Sequence, residues 1–391
     1  MNSGSPGSTG RRVALVCPYS LSRPGGVQGQ VLGLARSLDR LGDDVTVFAP
    51  LDRPEDVPAG IGFVASGHSV SLRANGSIAP VSVSPVAARS ALKRLRSFDP
   101  DVVHIHEPFA PGLPYALLAA RHVPPLLGTF HRSGGSVLYS VLRPVTRPLV
   151  RRLALRCAVS EAAASTATDA LGGTFEVLFN GIEVDRYEDV EPWPTDGPTA
   201  LFLGRHEERK GLAVLLEAWE QMARTDRVPH EFDSDAVGPP VLWVAGDGPA
   251  TEALKRRHPE SATVRWLGVV AEDEKVRRLV AADVLAAPAL GGESFGMVLL
   301  EAMAARTVVV ASDIEGYRDA AGGRAVLAAP GDPSALAMAL TGVFAGNLAG
   351  KRRSRAAWLD AGAERAARWS MADLAEQYDK LYAQAMVGSR A

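Results

Sequence analysis

TALFLGRHEERKGLAVLLEAW, residues 199–219, runs from a short apolar segment through a charged loop into a second apolar pattern of different period. TALFLG suits a buried strand. After the loop, Leu212, Leu215, Leu216 and Trp219 recur at i, i+3, i+4 and i+7, which lays one apolar stripe along a helix. A strand and a helix joined by so short a loop form half of a parallel βαβ unit.

The alternation continues in both directions. PVLWVAG, ATVRWLG, DVLAAPA and TVVVAS follow as further strands with helices between them. On the other side, RVALVCPY, VTVFA, DVVHIHE, PPLLGTF and CAVS are strand-like, separated by the helical segments VQGQVLGLARSLDRLG, APGLPYALLAARH and VLYSVLRPVTRPLVRRLAL. In the first of these helices Val27, Val31, Leu34 and Leu38 share a face. The Pro- and acid-rich stretch EDVEPWPTDGP, residues 188–198, interrupts the pattern and puts a boundary near 180–198. With 391 residues, too many for one core, the expectation is two Rossmann-like, doubly wound parallel-sheet domains. The first spans 11–183 together with 369–391, and the second spans 184–368. WSMADLAEQYDKLYAQ, amphipathic and placed after the second domain, is expected to pack back on the first. Residues 1–10 read as a disordered tail, and RVPHEFDSDAVGPP, residues 227–240, as a surface loop.

A net charge of −2 gives no overall attraction to nucleic acid, so none is expected as a partner. Cys17 and Cys157 lie far apart in apolar runs and read as buried thiols. The N-terminus has no apolar leader core and no run of 18 apolar residues occurs, so the expected location is cytoplasmic.

Open α/β sheets bind ligands beyond the carboxyl ends of their strands, so the residues following each strand carry the information. Gly25 and Gly26 stand before a helix, where backbone amides can approach an anion, although a plain tight turn has the same look. The spacing is not that of the full dinucleotide fingerprint, which counts against a nicotinamide dehydrogenase. His104 and His106 share one strand face beside Glu107; with no third ligand spaced locally they read as structural, and no metal site is expected. His131 ends a strand at the crevice. Arg205 and Lys210, in the loop after TALFLG, suit phosphate oxygens, Arg bidentately and Lys as a point charge. Gly246, in GDGP, permits another close approach.

GGESFGMVLLEAMAA, residues 291–305, sets Glu301 in a helix apolar on almost every face. Such a helix should be buried, and its carboxylate then needs donors from protein or ligand. Glu293 lies in the glycine-rich approach to that helix. On one continuous helix, eight residues would separate the pair by about 12 Å of rise, too far for the carboxylates of a retaining glycosidase. The two acids are expected to hold different parts of one extended ligand.

Together PGGVQ, GRHEERKG, GDGP and GGESFG-x4-E resemble the retaining GT-B glycosyltransferases of family 4, with Glu293 and Glu301 as the E-x7-E pair. More narrowly, CPYS-x3-PGGVQ, ANGS, VVHIHEP, TFH, GR-x3-RKG and GGESFG-x-VL-x-EAMAA are similar to the phosphatidylinositol α-mannosyltransferases of actinobacteria, from about residue 12 to 385. The resemblance implies a GT-B fold with a cleft between its domains and a last helix that crosses back. It implies GDP-mannose as donor substrate, no prosthetic group, and front-face transfer without a nucleotide-anchoring metal. By it, Arg205 and Lys210 neutralise the departing diphosphate, Gly25, Gly26 and Gly246 line the donor, and Glu301 takes the ribose. Glu293, with Ser294, Phe295 and Gly296 beside it, holds the sugar, and His131 contacts that sugar near the reacting carbon.

For the acceptor, the resemblance assigns Tyr19, Gln28 and Asn75 to an inositol phosphate. Ser22 replaces an acid, and Arg132, Ser133, Gly134, Gly135 and Ser136 replace a Thr/Ser run that ends in Lys; Arg132 is the candidate substitute cation. A lipid acceptor also implies contact with the inner face of the membrane. VAARSALKRLRSF offers Arg89, Lys93, Arg94 and Arg96 on an amphipathic helix for anionic headgroups, and a plain solvated face has the same pattern. Arg147, Arg151 and Arg152 add to the basic side. The alternatives are a family 4 transferase with another sugar nucleotide or acceptor, and a sugar-nucleotide sensor without turnover.

Overall fold

The apolar runs of the first half assemble one parallel sheet from β1 (Arg12–Val16), β2 (Asp44–Ala49), β3 (Gly62–Ala65), β6 (Val102–His106), β7 (Leu126–Phe130), β8 (Leu153–Ala158) and β9 (Glu176–Val177), in the order β3-β2-β1-β6-β7-β8-β9. Between β3 and β6, β4 (Val70–Ala74) and β5 (Ser77–Val81) form a separate antiparallel hairpin. This computed structural model describes residues 10–388 except 24, 75–76, 133–147, 225–238, 294, 349–350 and 353. By contacts the chain divides into two units, Met1–Gly181 with Met371–Ala391, and Ile182–Ser370.

Val13 to Val16 and Val102 to Ile105 are fully buried, as expected where helices cover both faces of a parallel sheet. Helix α1 (Gly26–Arg40) lays Val31, Leu34 and Leu38 on one face, and the final helix, Met371–Gly388, adds Leu374, Tyr378, Leu381 and Tyr382 to the same apolar cluster. Each such leucine contributes about 1.5–3 kcal/mol by leaving water. The final helix therefore belongs to the first unit. Arg11 ties it down further, pairing with Asp43 at 2.9 Å and donating from Nη1 to the Asp379 carbonyl at 3.0 Å.

The second unit repeats the plan. β10 (Thr199–Leu203), β11 (Val241–Ala245), β12 (Val264–Gly268), β13 (Val284–Ala287), β14 (Val308–Ser312) and β15 (Val326–Ala328) form a parallel sheet in the order β12-β11-β10-β13-β14-β15. Leu212, Leu215, Leu216 and Trp219 all enter its core, as their periodicity predicts. In each sheet the winding reverses beside the first strand, between β1 and β6 and between β10 and β13. These are the points where doubly wound sheets open a crevice.

Two local expectations need correction. The helix expected over VLYSVLRPVTRPLVRRLAL does not reach its end: helical residues 148–150 give way to β8 from Leu153. There Leu153 and Cys157 are buried and the segment pairs with β7, so tertiary pairing overrides helix propensity. Residues 137–147 of that segment lie outside the described ones. The helix around Glu301 is also less buried than its composition suggests. Leu299, Leu300, Ala302 and Met303 are buried, whereas Met297, Val298, Glu301 and Ala304 form a half-buried edge.

Candidate active site

In the second unit, three strand ends are laced together by backbone. Gly211 has φ +70°, and a Cβ there would stand 1.9 Å from the Pro288 carbonyl oxygen, so only glycine lets the basic loop lie against the end of β13. Gly246, at φ +120°, would likewise place a Cβ 1.9 Å from the Gly204 oxygen. Leu290 N–H donates to the Arg209 carbonyl at 2.8 Å, and His206 N–H donates to the Asp247 carbonyl at 3.1 Å. The charged side chains of these loops converge as a result.

Glu293 Oε1 accepts from Arg209 Nη1 and forms an ion pair with Lys210 Nζ, both at 2.7 Å. Glu207, only 7% exposed at its side chain, pairs with Arg205 at 3.0 Å and with Arg209 at 3.1 Å. Three cations against two carboxylates leave this network one positive charge. Half-buried cations at the end of a parallel sheet can receive the oxygens of a diphosphate and stabilise negative charge as it develops. Arg209 was not singled out by its sequence. Nothing beside it in HEERK marks it out, and only the fold brings it to Glu293.

Glu301 faces a different group. Its Oε1 lies 3.2 Å from Lys275 Nζ, which also holds Glu272 Oε2 at 2.9 Å. Burial works to lower the Lys275 pKa, but Glu301 and Glu272 outweigh it and the pKa is raised, so the amine stays charged. Tyr187 stands near the same carboxylate; burial first, then the Glu301 charge, holds its phenol well above the ordinary value. Lys275 is thus the donor that a carboxylate on this apolar helix requires. Gly296 caps the Glu301 helix at φ +65°, and Phe295 sets its ring edge-on to Trp369 with centroids 5.0 Å apart. Ser294 lies outside the described residues.

In the first unit, α1 begins at Gly26 behind an extended Gly25 with no side-chain cap, leaving first-turn amides for another acceptor. Gln28 is buried and donates from Nε2 to the carbonyls of Ser20 at 3.2 Å and Arg23 at 3.0 Å, so it shapes the loop before the helix. Ser22 Oγ accepts from the backbone amides of Asp52 at 2.9 Å and Arg53 at 3.0 Å. Tyr19 bridges to Val81; burial, followed by the charge of Glu107, raises its phenol pKa, and Arg132 opposes that rise. Asn75, Ser133, Gly134, Gly135 and Ser136 lie outside the described residues.

His131 follows β7. Its backbone N–H donates to Glu107 Oε1 at 2.8 Å, with Glu107 itself in a left-handed conformation at φ +48°. Its ring Nε2 shares a 2.8 Å hydrogen bond with His106 Nδ1. Burial holds the pKa of His131 at about 3, so the ring is neutral near pH 7 and works as a hydrogen-bonding group. His104 is structural, as expected: Nδ1 meets the Tyr382 hydroxyl at 2.8 Å and Nε2 meets Thr129 Oγ1 at 2.7 Å. His106 is likewise a hydrogen-bonded strand end, with His131 as its partner. Both cysteines are buried and free.

Helix α2 (Pro85–Phe98) starts at a Ser84 cap and buries Ala88, Ala91 and Leu95. Arg89, Lys93, Arg94 and Arg96 are all exposed, as is Val86 at 73%. Arg151 and Arg152 are also exposed, and Arg147 lies outside the described residues. Among the described residues no helix is long and apolar enough to cross a membrane.

The Glycosyltransferase Family 4 model matches residues 24–186, and the model for glycosyl transferases group 1 matches 197–345. A phosphatidyl-myo-inositol mannosyltransferase of Mycolicibacterium smegmatis is 36% identical over 380 residues, covering 95% of this chain and 93% of its own. One from Mycobacterium leprae is 36% identical over 381 residues, covering 95% and 96%. Among solved structures, a glycosyltransferase from Rickettsia africae superposes with a TM-score of 0.69 at 16% identity, covering 97% of this chain and 99% of its own. HepE of Anabaena, solved with UDP and glucose, gives 0.67 at 17% identity, covering 96% and 100%. With two parallel-sheet units and relatives matched along nearly its whole length, the chain belongs to the family 4 glycosyltransferases of GT-B fold.

Proposed function

We propose that this glycosyltransferase moves mannose, with retention, from GDP-mannose to the inositol headgroup of phosphatidylinositol. The observation that carries the reading is the convergence of Arg205, Arg209, Lys210 and Glu293 at the winding reversal of the second sheet. Relatives matched at 36% identity over 95% of the chain are phosphatidyl-myo-inositol mannosyltransferases, which supports the choice of sugar and acceptor.

In this reading the diphosphate displaces Glu293 from Lys210 and Arg209. Those cations, with Arg205, then neutralise charge as the leaving group departs, usually the dominant contribution to such catalysis. Glu293 is released toward hydroxyls of the sugar, and Phe295 and Gly296 with Ser294 shape that end. Glu301 takes the ribose hydroxyls beside Lys275. Gly246 brings its loop close to the nucleotide, and the amides after Gly25 and Gly26 serve the phosphates. Neutral His131 binds the sugar near the reacting carbon. No prosthetic group or nucleotide-anchoring metal takes part. Tyr19, Gln28, Asn75 and Arg132 serve the acceptor, and the basic face of α2 rests on anionic headgroups of the inner membrane surface.

The test is mass spectrometry of lipids after incubation with GDP-mannose and phosphatidylinositol vesicles. One added hexose on the inositol lipid is expected; turnover with UDP-glucose only, or with no inositol lipid, overturns the reading. A second acceptor is favoured by one observation. Ser22, where the lookalikes carry an acid, is spent on the Asp52 and Arg53 amides. Screening other anionic lipids and soluble polyols in the same assay covers it.

A further inference from the structure

The three imidazoles in the first unit stack in sequence, with ring centres 4.3 Å apart for His104 and His106 and 5.1 Å apart for His106 and His131. His104 has both nitrogens satisfied by Tyr382 and Thr129. His106 does not. It is 2% exposed, its Nδ1 is bonded to His131 Nε2, and its own Nε2 is buried without a partner among the described residues. The pocket that His106 lines with His131 is walled by Leu34, Val159, Leu178 and Leu374 and by the polar side chains of Gln30, Thr129, Asn180 and Tyr378, none of which hydrogen-bonds His106 Nε2; Gln30 is held by Gly181, and Thr129 and Tyr378 by each other.

A neutral imidazole carries one proton, so the 2.8 Å bond has two versions. If His131 donated from Nε2, His106 would keep its proton on Nε2, and an N–H would be buried with no acceptor. If His106 donates from Nδ1, its Nε2 is a bare lone pair, the smaller fault, because buried donors without acceptors are the rarer defect in folded proteins. The second version leaves His131 with Nε2 accepting and therefore with its proton on Nδ1. That nitrogen has no hydrogen-bond partner among the described residues.

We infer that His106 is a positioning residue that fixes His131 as the Nδ1–H tautomer, so that His131 offers its ligand a hydrogen-bond donor and not an acceptor. Glu107 completes the device by holding the His131 backbone N–H at 2.8 Å, which sets the origin of the ring. The group that fits such a donor is a hydroxyl or ether oxygen of a sugar. That choice of ligand rests on the proposed glycosyl transfer; the tautomer itself does not.

The test reads the tautomer directly, by two-dimensional nitrogen–proton NMR on protein with 15N-labelled histidine, without substrate. Wild type is expected to show His131 protonated at Nδ1 and bare at Nε2; protonation at Nε2 overturns the inference. His106→Leu removes the donor, and His131 is expected to shift to the Nε2–H form. His106→Asn keeps an N–H close to the position of Nδ1 and is expected to hold the wild-type tautomer. An unchanged tautomer in folded His106→Leu overturns the inference as well. In kinetics, His106→Leu is expected to lower kcat about tenfold, the scale of one hydrogen bond, with the donor KM held and with rescue by His106→Asn. Equal loss in both variants overturns the positioning role. If the wild type transfers no sugar while its tautomer is as expected, the proposed function fails and the tautomer assignment stands.

Discussion

Lys210 Nζ stands 2.7 Å from Glu293 Oε1, and Arg209 reaches the same oxygen at the same distance. One carboxylate therefore occupies two cations that the proposed diphosphate would need. Lys210→Ala is expected to reduce turnover about 100- to 1000-fold, the effect of losing a group that meets charge in the transition state. Glu293→Gln is expected to split the two roles. Binding of free nucleoside diphosphate tightens because the competing carboxylate is gone, while transfer from the sugar nucleotide falls. Calorimetric titration with GDP beside steady-state kinetics checks it; weaker GDP binding by Glu293→Gln would remove the competition argument.

The basic loop owes its place to Gly211. A left-handed backbone costs an ordinary residue about 1–2 kcal/mol, and a Cβ 1.9 Å from the Pro288 oxygen forces backbone to move. Gly211→Ala is expected to lower the melting temperature and to weaken nucleotide binding at least tenfold, since the loop and Glu293 move apart together. Differential scanning calorimetry with and without GDP measures both; an unchanged midpoint would show that the loop finds another route.

The stacked imidazoles set a pH dependence of stability. Burial holds His104 and His131 at about 3 in the folded chain and His106 well below its ordinary value, against about 6.5 when unfolded. At pH 7 all three are neutral in the folded chain and mostly neutral in the unfolded one, so they cost little. As pH falls below about 6.5 the unfolded chain takes up protons that the folded one refuses, so stability is present above that pH and is lost toward about 3. Each imidazole contributes a slope of up to about 1.4 kcal/mol per pH unit in that window. Urea unfolding followed from pH 7 to 4 should show the loss, and His104→Gln should flatten it. A stability that does not fall across the window would mean that the imidazoles are not held neutral.

What the sequence disclosed and what it hid follow one physical division. β1, β10 and β14 were legible because strands buried on both faces are near-continuous apolar runs, and the helix after β10 because its stripe repeats at helical spacing. Of β8 only the end was legible, as CAVS; its start was hidden, since Leu153 and Leu155 continue an apolar pattern that suits either state until β7 supplies a partner. The hairpin of β4 and β5 has its sequence signal in the Asn75-Gly76 pair. At the site, Arg205, Lys210, Glu293 and Glu301 stood out as charges at strand ends. Arg209, Lys275 and His106 did not, because the meaning of each comes from a partner 84, 26 or 25 positions away.

On the surface of the first unit, α2 presents Arg89, Lys93, Arg94 and Arg96 to solvent over a buried stripe of Ala88, Ala91 and Leu95. Charge reversal at Lys93 and Arg94 leaves that stripe untouched, so folding should be unaffected. Each basic residue near an anionic surface is worth about 1 kcal/mol, so reversing two is expected to reduce binding to vesicles rich in anionic lipid by at least about thirtyfold. The attraction of the wild type should weaken as salt rises, because the screening length shrinks to about 8 Å at physiological ionic strength. Neutral phosphatidylcholine vesicles should bind both proteins equally poorly. Vesicle sedimentation across a salt series measures all three, and equal binding of wild type and variant to the anionic vesicles would reduce the basic face of α2 to an ordinary solvated one.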